Sequence, residues 1–214
     1  GWIALLLFAP PFAGLADNSD YARVLQPAGF VPNDHPRYAH AYREHRLTPA
    51  AGDVAGILNP GVENELDYVS SLQLPLKAAM LLDYAAKLAA GGDPLVFDIR
   101  WLGLVHALLF AAGLTMFAAG LGVRKRHTRV LLFVLSLLML CDAGYLVYFH
   151  SFYGEALSMS AGMLAAGGAV RLIYGDPARK APLLLFYGAC LLFVSAKVAN
   201  APFGPLAALF GAVL

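Results

Sequence analysis

The chemistry-bearing residues concentrate at Asp17-Asn18-Ser19-Asp20-Tyr21-Ala22-Arg23, where an opening apolar run stops. Two carboxylates at the edge of hydrocarbon beside a guanidinium are raw material for acid–base catalysis. Desolvation raises a carboxylate pKa towards that of a general base, while Arg23 opposes the shift and offers a fork for phosphate. The same residues have a plainer local use: Asp, Asn and Ser are favoured helix N-caps, and Tyr21 to Leu25 can open a helix. On local sequence alone the cap is the stronger reading.

A second cluster is His150-Ser151-Phe152-Tyr153-Gly154-Glu155, a polar turn between two apolar runs. Any such turn needs polar and Gly residues. Aromatic rings beside His and Glu also make a surface that can stack on a sugar, and the turn can bring His150 and Glu155 to the first-loop carboxylates. Asp142 lies inside an apolar run, about 10 Å below its end at 1.5 Å per residue. A carboxylate there costs ~2.5–3.5 kcal/mol on insertion scales, so it is expected to face other helices, with His106 or Lys197 as partner. His35, His40 and His45 do not form a metal face, because steps of five turn ~140° around a helix. No standard zinc spacing occurs, and Arg37, Arg43 and Arg46 make that stretch read as a basic surface. Ser158, Gly162 and Ala166 form a small-residue face for close helix packing.

The elements that must hold these residues are helices in a membrane. Of 214 residues, 59% are apolar and 14% charged, too oily for an ordinary soluble enzyme or a disordered chain. A net charge of +1 gives no support for a nucleic-acid partner, and the two cysteines lie within apolar runs, which points to packing. The fold class is all-α integral membrane, with about five transmembrane helices and a long, partly helical external loop after the first. The first helix occupies 1–16, although a signal-peptide core is a second reading of that run. Leu102 to Val123, Val130 to Phe149, Ala156 to Tyr174 and Ala181 to Val198 each approach the roughly 20 residues needed to cross. They make a four-helix region over 99–200, and 201–214 begins a further apolar segment. Both ends lie in apolar sequence, as expected for a piece of a longer polytopic protein or one completed by another chain.

Arg124, Lys125, Arg126 and Arg129 in one short loop, and Arg171, Arg179 and Lys180 at another, mark the cytoplasmic face. The loop 17–98 then faces outward, with 11 of the 14 acidic residues. Within it, Leu76, Met80, Tyr84 and Leu88 predict an amphipathic helix over about 76–90, broken from the preceding segment by Pro75 and ended by Gly91-Gly92. An Asp83/Lys87 pair lies on another of its faces. Such a helix can lie in the membrane interface or pack within an external domain.

An outward first helix, a long first loop opening on an acid, an amphipathic helix and a series of spans resemble the amino-terminal half of GT-C membrane glycosyltransferases. Asn18-Ser19-Asp20-Tyr21-Ala22-Arg23 and Phe149-His150-Ser151-Phe152-Tyr153-Gly154-Glu155 look like motifs of bacterial multi-span proteins of this kind. The resemblance implies transfer of a sugar from a polyprenyl-phosphate carrier to an acceptor outside the cytoplasm, with the long loop facing the periplasm or exterior of a bacterial inner membrane. The base would be Asp20, with Asp17 in reserve; Arg23, His150, Tyr153, Glu155 and Lys197 would bind substrate. Cations would offset the leaving-group charge without a cofactor, a divalent ion being the alternative. Lipid-linked sugar, membrane lipid and a further membrane chain are the expected partners. A non-catalytic subunit of a larger membrane complex is the competing function. A transporter using Asp142 and His106 as a proton relay is a third.

Overall fold

The computed structural model describes residues 2–32, 41–61, 70–123, 125–174 and 180–213. His35, Arg37 and His40, with Arg124 and Arg179 of the basic loops, lie outside the described residues. The chain divides into two compact units, Gly1–Val105 with Leu146–Tyr153, and His106–Tyr145 with Gly154–Leu214.

In the first unit the opening apolar run is helical only over Trp2–Phe8 (α1). Pro10 and Pro11 lie just beyond, and neither has an N–H with which to continue the helix. Two short helices follow, Ala22–Leu25 (α2) and Val54–Leu58 (α3). The amphipathic helix is Gln73–Ala90 (α4). It begins a turn before the 76–90 expected, and Pro75 sits inside its first turn, where a missing N–H costs nothing, instead of breaking the chain before it. Leu76, Ala79, Met80 and Asp83 are buried, while Leu74, Leu82 and Leu88 are exposed. Both faces therefore carry apolar residues, and the open one suits contact with a lipid interface.

The strands His45–Arg46 (β1) and Val96–Phe97 (β2) pair antiparallel, His45 opposite Phe97 and Arg46 opposite Val96. The bonds from Leu47 N–H to Leu95 O and from Ile99 N–H to Tyr42 O extend the join on both sides. The basic stretch that read as a surface is thereby tied into the unit, with His45 buried. Tyr21, Phe30, Phe97 and Phe152 form the aromatic core: ring centroids lie 5.1 Å apart for Tyr21 and Phe152 and 5.6 Å for Phe30 and Phe97. Such edge-on pairs add about 0.5–1.5 kcal/mol each beyond the area they bury.

Helix Arg100–Gly120 (α5) begins in the first unit and continues in the second. The second unit adds Arg126–Leu140 (α6), then the short helix Ala143–Leu146 (α7), whose last residue begins the chain's return to the first unit, then Gly154–Tyr174 (α8), Lys180–Ala196 (α9) and Phe203–Val213 (α10). Among the described residues, α5 and α8 are long and apolar enough to cross a membrane singly. The run from Val130 to Phe149, expected as one straight span, is instead two helical pieces separated at Cys141–Asp142, and counting them together gives a third crossing. α9 is apolar over 17 residues. The protein is an all-helical membrane domain apart from the short ladder.

The break explains Asp142. Its carboxylate is exposed and accepts the Gly144 N–H at 2.7 Å, so it caps the helix after the break. It does not face the bundle interior as expected. Within the second unit His106 Nδ1 lies 3.2 Å from Ser160 Oγ, and Lys197 bonds Glu155. The small-residue face of α8 packs against α9 and the turn after it. Asn200 Nδ2 donates to Ser158 Oγ at 2.7 Å, and a Cβ at Gly162 would lie 3.3 Å from the Phe193 ring.

Candidate functional site

The first unit joins the two motif segments directly. Asn18 N–H donates to the Tyr153 hydroxyl at 3.0 Å, that hydroxyl donates to Ala16 O at 3.1 Å, and His150 Nδ1 donates to Ala13 O at 2.7 Å. His150 is fully buried, its ring stacked on Phe12 at 5.5 Å with Tyr42 edge-on at 5.8 Å. The ring fits only because residue 103 is glycine: a Cβ there would lie 2.3 Å from it. His150 thus fixes the segment after α1 and offers no open face for a substrate.

Asp17 and Asp20 part company. One Asp17 oxygen accepts the backbone N–H of Ser19 at 2.7 Å and of Tyr21 at 3.1 Å, a local turn ahead of α2; the helix itself has Tyr21 at its N-cap with no side-chain bond, so the expected Asp, Asn or Ser cap is not formed. Ser19 between them has φ of 97°, a left-handed conformation uncommon for a residue with a Cβ and held here by the Asp17 bond. Asp20 points outward, 3.6 Å from the Arg23 guanidinium, both side chains more than half exposed. Tyr21 turns inward, its ring 4.9 Å from that of Tyr153 and its hydroxyl donating to Leu15 O. Burial, with Tyr153 nearby, pushes the Tyr21 phenol well above its ordinary pKa, so it stays neutral. In the second unit Glu155 pairs with Lys197, an exposed contact of the kind worth about 0.2–1 kcal/mol.

A charged concavity of the first unit lies elsewhere. A cavity of about 700 Å³ is lined by residues of α4, of the chain around β2 and of the start of α5, with Arg43 and Phe8 closing it. Asp98, buried before α5, accepts Arg100 Nε at 2.9 Å and Nη2 at 2.5 Å, and Arg43 Nε at 3.1 Å. Asp83, buried on α4, accepts Lys87 Nζ at 2.5 Å and the Asp98 N–H at 3.2 Å, and Lys87 also donates to Val96 O. Asp93 pairs with Arg46 at 3.3 Å. The Arg100 guanidinium lies over the Tyr42 ring, 4.5 Å from its centre. The Asp83/Lys87 spacing read as an i,i+4 pair on another face of one helix; in the structure it is a buried joint between α4 and the strand that precedes α5.

The two buried carboxyls titrate in opposite directions. Burial works against the charge on Asp98, but bonds from Arg100 and Arg43 outweigh it and hold the carboxyl below its ordinary range. Burial dominates at Asp83 and raises it, despite Lys87 and the Asp98 N–H. A depressed carboxyl stabilises the fold above the unfolded Asp pKa of about 3.9, and that contribution is lost as pH falls through the lower folded value. A raised carboxyl contributes most below about pH 3.9, and its contribution fades as pH rises through the folded value. Asp83→Asn is therefore expected to abolish the decline in melting temperature that sets in above about pH 4, leaving the acid-side loss due to Asp98. Melting curves from pH 3 to 7 read this directly. A variant that keeps the parental profile refutes the assignment.

Arg43, Asp83, Asp98, Arg100 and Trp101 were not singled out together by spacing. The available signal was Asp98-x-Arg100 at the very start of a span, an acid and a base flanking hydrocarbon. Among the described residues no group of three His, Cys, Asp or Glu is placed to hold a metal ion.

No curated protein and no solved structure matches the chain. The family model of the YfdI N-terminal transmembrane domain matches residues 2–214, and the chain belongs to that family.

Proposed function

We propose that this membrane domain works in a glycosyltransferase that takes a sugar from a polyprenyl-phosphate carrier and passes it to an acceptor outside the cytoplasm. In this reading the membrane is a bacterial inner membrane and residues 17–98 face the periplasm. The observation that carries it is the exposed Asp20–Arg23 pair, displayed on a segment that Tyr153, His150 and Asp17 tie down from behind. A base must reach solvent-borne acceptor yet keep its orientation, and this arrangement supplies both.

Asp20 accepts the proton of an acceptor hydroxyl as its oxygen bonds to the anomeric carbon. The bond from that carbon to the carrier's phosphate breaks, and the electron pair leaves with the phosphate. Arg23, at 3.6 Å from Asp20, is close enough to steady the charge that moves between them. Asp17 supports the chain turn, one of its oxygens accepting two backbone N–H groups.

Removing a general base lowers the rate by roughly 10²–10⁴-fold. Asp20→Asn is expected to do so in membranes loaded with lipid-linked sugar, while leaving the amount of folded protein unchanged, because the side chain is exposed. Full transfer by Asp20→Asn refutes the role of Asp20.

A further inference from the structure

The cavity of the first unit is lined by three cations and three carboxylates, but one of those carboxylates, Asp93, is met by Arg46 from outside the lining. Arg46 neutralises Asp93, Lys87 neutralises Asp83, and Arg100 holds Asp98 through two nitrogens. Arg43 is the cation left over: it touches Asp98 through Nε alone, its side chain is 65% exposed, and it lines the cavity. Its two Nη groups, with no other bond among the described residues, form a fork of the kind that binds phosphate bidentately. The rest of the lining is partly apolar, with Phe8 at the end of α1 and Trp101 and Leu104 in the first turns of the α5 span. A cavity of about 700 Å³ is in the range that holds a small ligand.

We propose that this cavity binds a phosphate ester, with the phosphate on the Arg43 guanidinium and the organic substituent against Trp101 and Phe8. The Nη pair of Arg43, bonded to Asp98 through Nε alone, argues for an anionic group and not for a cation. The aromatic wall argues for an ester, not for bare phosphate. Because Phe8 and Trp101 belong to apolar helices, a lipid-borne ester reaches the site from the membrane side of the sequence, whereas a free sugar phosphate would reach it from water. Naming the lipid as the sugar carrier rests on the glycosyltransferase reading; the phosphate site does not.

The test uses the full chain in lipid nanodiscs, with farnesyl phosphate, farnesol and inorganic phosphate as probes. Farnesyl phosphate is expected to bind and farnesol not. Arg43→Ala is expected to weaken farnesyl phosphate by about tenfold or more, the worth of a charge-assisted fork, with Arg43→Lys intermediate and Lys125→Ala unchanged. Inorganic phosphate that competes as well as farnesyl phosphate, and is equally sensitive to Arg43→Ala, keeps the phosphate site and assigns it to a water-borne ligand. Parental affinity in Arg43→Ala, or farnesol binding as tightly as its phosphate, overturns the proposal. Misfolding does not confuse the result, since Arg43 is largely exposed and Asp98 keeps Arg100; matching melting curves verify it. Binding through Arg43 without any sugar transfer keeps this site and removes the transfer reading. Transfer at the parental rate in Arg43→Ala does the reverse.

Discussion

Replacing Asp98 by Ala is expected to destabilise the domain by about 3 kcal/mol, the lower end of what removing one partner of a buried ion pair costs. The reason lies in how many groups converge on one carboxylate. Arg100 contributes its backbone N–H at 3.1 Å, Nε at 2.9 Å and Nη2 at 2.5 Å, and Arg43 adds Nε at 3.1 Å. With the carboxylate gone, Arg100, about a third exposed, keeps the Tyr42 ring but has no anion. Arg43 is mostly in water and loses little. The lower end of the range is therefore the right one, and Arg100 dominates it. Asp98→Asn keeps the shape and one accepting oxygen, so its loss is expected to be about half as large. Unfolding by SDS titration, followed by tryptophan fluorescence, measures both, with Trp101 three residues from the change. A loss below about 0.5 kcal/mol for Asp98→Ala, the size of an ordinary surface change, means that the cluster does not hold the start of α5. A double-mutant cycle with Arg100→Ala separates the pair from the rest of the network.

That cluster also marks where sequence reasoning stops. Asp83 and Lys87 were visible as an i,i+4 pair, because that relation lies within one helix. Their burial was not visible, because it comes from the Asp98 N–H and the Val96 carbonyl, 15 and nine residues further on. The same holds for Arg43, whose acid lies 55 residues away. Asp17 is the opposite case: its partners are two and four residues off, so a local backbone-bonding role was legible in composition, although α2 takes Tyr21 as its N-cap with no side-chain bond. The hydrophobic runs gave the helical membrane class, since periodicity and length are local properties. They did not show that the first run is helical only to Phe8, or that the third breaks beside Asp142. Those depend on prolines and on a cap competing with the helix, which average hydropathy does not see. The aromatic turn was legible as a cluster, but the burial of His150 among Phe12, Tyr42 and a bare Gly103 was not.

Gly113→Val is expected to be the most damaging single change in the second unit. A Cβ on Gly113 would lie 2.5 Å from the backbone nitrogen of Leu164 and from the carbonyl carbon of Met163. Backbone atoms inside α8 cannot rotate out of the way, so α5 and α8 must move apart. The opposing side is built alike: a Cβ on Gly167 would lie 2.7 Å from the Gly113 carbonyl oxygen and 2.9 Å from Met116 Cβ. Where oil surrounds the helices, close van der Waals contact is the main force joining them, and these two glycines permit it. Overpacking of this kind costs about 1–3 kcal/mol for one methyl and more for a branched side chain. The sign is the decisive part. Gly→Ala in a helix otherwise gains up to about 1 kcal/mol from propensity, so Gly113→Ala must lose despite that gain. Gly188 in α9 supplies the contrast, because nothing lies within 4 Å of its Cβ position. Gly188→Ala is expected to stabilise the domain slightly in SDS titration, Gly113→Ala to destabilise it, and Gly113→Val to prevent the two helices from closing. If both alanine variants shift stability in the same direction, the close approach of α5 and α8 at Gly113 is wrong, and helix propensity alone governs these positions.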